Sequence, residues 1–450
     1  MKLLIASLLL SASTALAQQQ SMPGMQMPPA SSSNPIAQQH TPEPDPLAEA
    51  ASRPALTLDA LLATARTHNP TLRAAQAAIA QSAGQAKQAA LLPNPVIGYE
   101  GDQIRGGSYG GGEHGGFVQQ IIPLGGKLGL RRDVFRQQQR TDEVALATQR
   151  QRIEADIEGS FYAALALQQE VETRKHLSAV AADAAETARQ LANVGQADAP
   201  DVLQSEVEQE QAALDTLTAE RHYIAAFHQL TAIAGQPDLP LTRLGGDLAA
   251  SPAQPPSLDA MLEQSPAVQR ADQAVHAAEA QLRSAHREVV PDLTLRAGEQ
   301  WNGELVRQNP NIAAGPQSFA SASIDLPLWN RNQGNIASAQ ATVSAAQAEA
   351  QRVRLELRHS AAPLIEQYNI AAAQTSRYRN DLLPRAQRAY DLYRNRYQQM
   401  AAAYPQVLVS QRTLFQLQLA YIQSLGELWQ TSARLRNFTL SGGLDPSESR

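Results

Sequence analysis

Between Leu124 and Ala199 the chain runs 76 residues without a proline. Apolar residues recur there at helical spacing: Val134, Val144, Ile153, Ile157, Phe161, Leu165, Val171, Leu177, Leu191 and Val194. Small or polar residues separate them, so the apolar face is a narrow seam, suited to a coiled-coil-like layer of helices rather than a globular core. At about 1.5 Å per residue the predicted helix is on the order of 100 Å long, about three times the hydrocarbon thickness of a bilayer. From Leu203 a second seam continues through Val207, Leu214, Leu217 and Ile224, predicting an antiparallel return helix. The turn between them falls at residues 194–201, where Gly195 ends one helix and Pro200 suits the first turn of the next.

Ahead of this hairpin the pattern predicts a short helix from Thr57 to His68, capped by Thr57, and another from Pro70 to about Leu92. After Pro93-Asn94-Pro95 the period changes to two, giving strands at about 95–102 and 117–122 around the glycine-rich stretch 106–116. The chain then starts again. Leu58-Asp59-Ala60-Leu61-Leu62 recurs as Leu258-Asp259-Ala260-Met261-Leu262, Asn69-Pro70 as Ser265-Pro266, and Pro93 as Pro291. Ile122-Pro123-Leu124 recurs as Leu326-Pro327-Leu328, and Asp201-Val202-Leu203 as Gln406-Val407-Leu408. The offsets run from 196 to 205 in one order, which reads as an internal duplication of helix–helix–strand–strand–long helix–return helix. The first repeat spans 56–245 with its hairpin at about 126–235, a linker covers 246–256, and the second repeat spans 257–440. Strands are expected in the second repeat at about 292–301 and 319–326, a hairpin at about 332–438, and a tail at 441–450. Pro363 and Pro384 are expected to kink the second long helix, because each removes an intrahelical hydrogen bond.

In the second strand pair Leu293, Leu295 and Ala297 share one face and Thr294 and Arg296 the other. Ala320, Ala322, Ile324 and Leu326 likewise oppose Phe319, Ser321, Ser323 and Asp325. Such alternation suits a membrane barrel strand, with Tyr99 and Trp301 available for an interfacial girdle. The alternative is a soluble two-sided sheet. Four strands cannot close a barrel, and an open edge in lipid leaves backbone groups unpaired at several kcal/mol each. Three copies would supply about 12 strands and a tube of about 12 helices, enough for a water-filled lumen.

Composition narrows the function. The 450 residues carry a formal charge of −6 with no basic block, which argues against nucleic acid, and the absence of cysteine removes disulfides and thiol chemistry. Residues 1–17 read as a secretory signal peptide, and no other segment has about 18 consecutive apolar residues, so any membrane part must be β-structure. Residues 18–55, rich in Pro, Ser, Gln and Met, read as a disordered tail. Within it Met22, Met25 and Met27 form a candidate capture site for Cu(I) or Ag(I), thioethers being soft ligands; the alternative is a flexible tether. No metalloprotease helix, nucleophile elbow or nucleotide loop is present, and His222 with His228 lacks the spacing of a metal pair, so neither an enzyme nor a cofactor is expected.

After residue 55 the sequence resembles the TolC-type outer-membrane efflux protein family. The carriers are the duplicated plan, Pro93-Asn94-Pro95, Ile122-Pro123-Leu124-Gly125-Gly126-Lys127, residues 326–334 (Leu-Pro-Leu-Trp-Asn-Arg-Asn-Gln-Gly), Val194-Gly195 with Asp201-Val202-Leu203, and Ser410-Gln411-Arg412-Thr413-Leu414. The style of the segments after the strands looks closer to the heavy-metal cation branch than to the drug branch. The resemblance implies a mainly α protein with a small membrane β part. Its trimer would form a 12-stranded outer-membrane barrel, four strands per chain, continued by an α-helical barrel through the periplasm. Such a passive duct takes substrate from an inner-membrane RND-type pump through a periplasmic adaptor.

The same resemblance places adaptor contacts at two tips, Val194, Gly195, Asp201, Val202 and Leu203 on the first and Met400, Pro405, Val407 and Leu408 on the second. Met400 stands where the family usually has Gly. Gln406 and Val409 occupy positions where family members commonly carry acids, leaving Asp201 as a possible ring. A latch from Asp201 to Tyr397 across the adjacent hairpin is the expectation for the closed aperture; the alternative is an Asp serving its own helix N-terminus. Competing readings are the outer-membrane part of a multidrug or type I secretion system, a secreted structural coiled coil, and a self-standing porin.

Overall fold

The computed structural model describes residues 46–104, 112–195, 198–306, 312–399 and 404–445. The first half contains α1 (Pro46–Ser52), β1 (Leu56–Thr57), α2 (Leu58–His68), α3 (Pro70–Ala89), β2 (Val96–Asp102), β3 (Glu113–Ile122), α4 (Lys127–Asn193) and α5 (Ala199–Ile233). The second contains β4 (Leu244–Gly245), α6 (Leu258–Gln264), α7 (Pro266–Arg287), β5 (Leu293–Val306), β6 (Ile312–Ile324), α8 (Gln333–Arg377), a π-turn (Tyr378–Leu382), α9 (Leu383–Gln398) and α10 (Tyr404–Arg436). The order helix–helix–strand–strand–long helix–return helix thus runs twice.

Matching caps explain the matching motifs. Thr57 and Ser257 each accept a hydrogen bond from the amide of the residue three ahead, Ala60 and Ala260, so both Leu-Asp-Ala segments enter a helix in the same way. Asn69 caps the start of α3 through the Thr71 amide (2.9 Å), with Pro70 in the first turn; Ser265-Pro266 occupies that place in the second half.

At 67 residues α4 is about 100 Å long and packs against α3, α5, α7 and α10, while α8 packs against α7 and α10. The core sits around the middle of α4, where Ile153, Ile157, Phe161 and Leu165 meet Leu61 and Leu72 from the short helices, Tyr223, Phe227 and Leu230 from α5, and Trp429 from α10. Two β-bridges and a buried amide close this belt. Leu56–Thr57 pairs in parallel with Leu244–Gly245, and Gln168 both accepts from the Leu244 amide (2.8 Å) and donates to its carbonyl (3.1 Å). Tyr223 donates to Gln168 (3.0 Å), and burial pushes the Tyr223 hydroxyl up to about 12. A smaller core in the second half gathers Met261, Val268, Leu357, Ala361 and Leu435.

Several elements differ from the sequence expectation. Within the stretch read as a disordered tail, Pro46–Ser52 is helical, with Ala50 buried. The linker 246–256 is docked: Leu248 is buried and its carbonyl accepts from the Trp429 indole (2.9 Å). The start of the tail at 441–450 is docked as well, since Gln149 donates to the Gly443 carbonyl (2.8 Å) and the Gly443 amide donates to Asp156 (2.6 Å). The strands of the second half are longer than read. Pro363 lies within an unbroken α8, whereas just before Pro384 the Leu383 amide bonds the Tyr378 carbonyl five residues back. That wider turn accommodates a proline ring which would otherwise strike the carbonyl four residues earlier.

The α5 seam is also redrawn. Leu203 (62% exposed), Val207 (62%), Leu214 (57%) and Leu217 (47%) face outward, while Ser205, Ala212 and Ala219, spaced by seven, are buried. Small residues let two helices approach closely, so the contact seam is built from them and the larger apolar residues form a second stripe. No helix among the described residues is long and apolar enough to cross a membrane.

Phe161→Ala or Phe227→Ala should each cost about 3–5 kcal/mol of unfolding free energy, because both rings are fully buried in the belt. Denaturant titration of the detergent-solubilised protein measures this, and a loss below about 1 kcal/mol would show that the belt does not hold the fold. Asp156 supplies a pH test. Burial raises its carboxyl above the usual range despite hydrogen bonds from Gly443 and Gly442. A raised folded-state value means that its stabilising contribution is complete below the ordinary carboxylate range and is lost as pH rises through the raised value. Between about pH 4 and pH 7 the wild type should therefore lose stability relative to Asp156→Asn, whose amide does not titrate. Parallel melting curves for the two proteins would reject that role.

Candidate functional site

The four larger strands form one antiparallel sheet in the order β2-β3-β5-β6. Its register sorts the side chains onto two faces. One row across the sheet reads Gly98, Phe117, Gly298, Phe319, and the same face carries Glu100, Asp102, Glu113, Gln119, Arg296, Gln300, Asn302, Gln317 and Ser321. The opposite face carries Ile97, Tyr99, Val118, Leu295, Ala297, Trp301, Ala320, Ala322 and Ile324, of which Ile97, Tyr99, Val118, Leu295, Trp301 and Ile324 are strongly exposed. Among the described residues Glu299 is the one carboxylate on that apolar face, two positions along β5 from Trp301. The apolar band runs from Leu293 to Trp301, about 25–30 Å along the strand, the length of a tilted membrane-spanning β-strand of about 9–11 residues.

On the polar face the groups are joined. Arg296 pairs with Glu100, and its guanidinium lies 4.0 Å from the Phe117 ring centre and 5.6 Å from that of Phe319. Gln300 and Asn302 donate to the two oxygens of Glu113 (2.7 and 2.8 Å). The glycines of the row leave room for these rings: a Cβ on Gly98 would strike Phe117, and one on Gly298 would strike the Gly116 carbonyl and lie 2.8 Å from the Phe319 ring.

The motif segments after the strands form the corner between sheet and helices. Gly125 and Gly126 have φ of +68° and +73°, which L side chains rarely adopt, and α4 begins at the next residue. Lys127, almost wholly buried, reaches Asp292 at the foot of β5 (2.7 Å), and Arg131 grips Glu288 with two bonds of 2.9 Å. That double grip raises the Arg131 guanidinium. In the second half Asn332 (φ +58°) stands where Gly126 stands in the first. It donates to the Ala285 carbonyl (2.8 Å) and accepts from Asn335 (2.6 Å), which explains the Trp-Asn-Arg-Asn segment.

At the far ends of the helices, Val194 and Gly195 (φ +73°) close α4, and Asp201, Val202 and Leu203 occupy the first turns of α5, so the first tip is brought together. Asp201 is exposed there. Pro405, Gln406, Val407 and Leu408 begin α10, with Val407 buried, and Tyr397 lies half-buried in the last turn of α9. Met400 and the trio Met22, Met25 and Met27 lie outside the described residues. A groove of about 380 Å³ runs where α4, α5 and α10 meet, lined by Arg174, Asp215, Leu408, Gln411 and Phe415 among others, and Arg412 bridges it to Glu208 (2.5 Å). A second, of about 430 Å³, separates Tyr393 on α9 from Gln406 and Val409 on α10.

Sequence reasoning placed the turn of the first helical hairpin and the corner but missed the Arg296 clamp and the Lys127–Asp292 pair. Alternation put Arg296 on the polar face without revealing its partners, and the pairing of Lys127 depends on a strand 165 residues away. Among the described residues no cluster of three His, Asp or Glu side chains is placed to hold a metal ion. What the arrangement offers is a two-faced sheet on a long helical layer.

Comparison with known proteins agrees with this architecture. A family model described as outer membrane efflux protein matches residues 61–236 and 257–439. The chain is 28% identical over 384 residues to the cobalt-zinc-cadmium resistance protein CzcC of Cupriavidus metallidurans, covering 84% of this chain and 89% of that protein. Its fold is similar to that of a membrane protein from Pseudomonas aeruginosa (TM-score 0.70, 18% identity, 87% of this chain and 91% of that one). It is similar also to CusC, described in terms of folding and transmembrane channel formation (TM-score 0.69, 17% identity, 86% and 92%). With the family model covering both halves, the chain belongs to the outer membrane efflux protein family.

Proposed function

We propose that three copies of this chain form a passive duct through the outer membrane, fed from an inner-membrane RND-type pump by a periplasmic adaptor, and that its cargo is divalent heavy-metal cations. The observation that carries the reading is the sheet: four strands with one apolar and one polar face, tied through the ion pair of the buried Lys127 with Asp292 to a helix about 100 Å long. Its strands alternate in direction, so joining β6 of one copy to β2 of the next keeps every pair antiparallel. Three copies then give about 12 strands with no open edge. The outward stripe of Leu203, Val207, Leu214 and Leu217 supports the same assembly, since a neighbouring copy would cover it. The cargo assignment leans on the relative whose name specifies cobalt, zinc and cadmium.

Deleting the gene should sensitise cells to cobalt, zinc and cadmium salts while leaving tolerance of dyes, drugs and bile-type detergents unchanged. Sensitivity to drugs and detergents alone would reject the cation cargo and favour a multidrug or secretion duct. At the tips, Asp201 is exposed at the start of α5, and on this reading it holds the closed aperture by bonding Tyr397 of the adjacent hairpin. Asp201→Ala should raise closed-state conductance in planar bilayers, and Tyr397→Phe should do the same. Unchanged conductance in both variants removes the latch.

A further inference from the structure

Among the described residues within the paired strands, the polar face of the sheet carries three carboxylates, Glu100, Asp102 and Glu113, and a single cation, Arg296. A free arginine on a channel wall would swing on a flexible stem. This one does not have that freedom: Glu100 takes the guanidinium, the Phe117 ring lies 4.0 Å from it and the Phe319 ring 5.6 Å. The rings reach that position only because Gly98 and Gly298 leave the adjacent wall bare. Four strands therefore cooperate to hold one positive charge flat against the wall, among negative ones.

We propose that Arg296 sets the charge selectivity of the membrane end of the duct. This rests on the reading of the polar face as the lumen lining. The wall charge contributed by these groups is three negatives and one positive, or −2 per chain, and it changes by one unit with each single substitution. In a narrow lumen with low-dielectric walls such a change alters the local concentration of permeant cations. The clamp moderates cation attraction, so that a divalent cation enters without being held.

The test is the reversal potential of the full-length protein in planar bilayers under a potassium chloride gradient. Arg296→Gln brings the wall to −3 per chain and should raise the cation-over-anion permeability ratio by about twofold or more. Glu100→Gln brings it to −1 and should lower the ratio, and the double variant, back at −2, should return near the wild-type value. That return separates selectivity by charge from a strand-stapling role, which predicts that the double variant behaves like the more damaged single one. Identical reversal potentials in channels of wild-type conductance would overturn the proposal. So would a double variant that fails to return. If neither the wild-type protein nor its Asp201→Ala variant forms a conducting channel, the duct reading itself is what fails.

Discussion

A backbone N–H or C=O in hydrocarbon has no water to turn to, and the sheet of this chain has an edge at each end, β2 and β6. Much of the structure answers to that constraint. One face is apolar and the other polar, and the strands alternate in direction from β2 to β6; in the proposed assembly lipid would meet the first face, water the second, and further copies would continue the ladder. An isolated four-stranded sheet of this kind has nothing to bury its apolar face against. The chain belongs to the outer membrane efflux protein family, and the apolar face of its sheet stands exposed.

The helical layer answers a different requirement, that of joining to the sheet without a gap. Both long helices are preceded by a residue in the left-handed region, Gly126 and Asn332, in the short segments that follow β3 and β6. The corner is then fixed by charge. Burying the Lys127 ammonium is costly unless it is paired, and the partly exposed Asp292 pairs with it; removing Asp292 would leave the buried ammonium unsatisfied, which is the expensive case. The exposed bridges along α4 and α5, such as Lys175–Glu220 and Arg189–Glu206, stand in water and add little each, so alignment of the hairpin falls to its seam.

What the sequence revealed and what it concealed divide along local and non-local lines. Caps, prolines, turn glycines and strand alternation are decided within a few residues, so the duplicated element order, the corners and the first tip were legible. Partners across long separations were not. Nothing near Asp156 announces that Gly443 will dock on it, and nothing near Leu248 that Trp429 will bond its carbonyl, so segments that look like linker and tail by composition proved to be packed. Arg296 lay between the two cases: its face was readable from the period of two, but its clamp required knowing which strands lie beside it.

The redrawn seam of α5 shows why hydrophobicity alone misplaces a helix that has more than one neighbour. Leu203, Val207, Leu214 and Leu217 were the natural choice for the contact with α4, because the largest apolar groups gain most from burial. That argument assumes a single interface. A helix with a contact on each flank must divide its apolar residues between them. The buried side of α5 takes Ser205, Ala212 and Ala219, and the bulkier stripe stands exposed in the single chain. A stripe of that size is an aggregation hazard on a monomer and an asset in an assembly, so its retention points the same way as the open edges of the sheet.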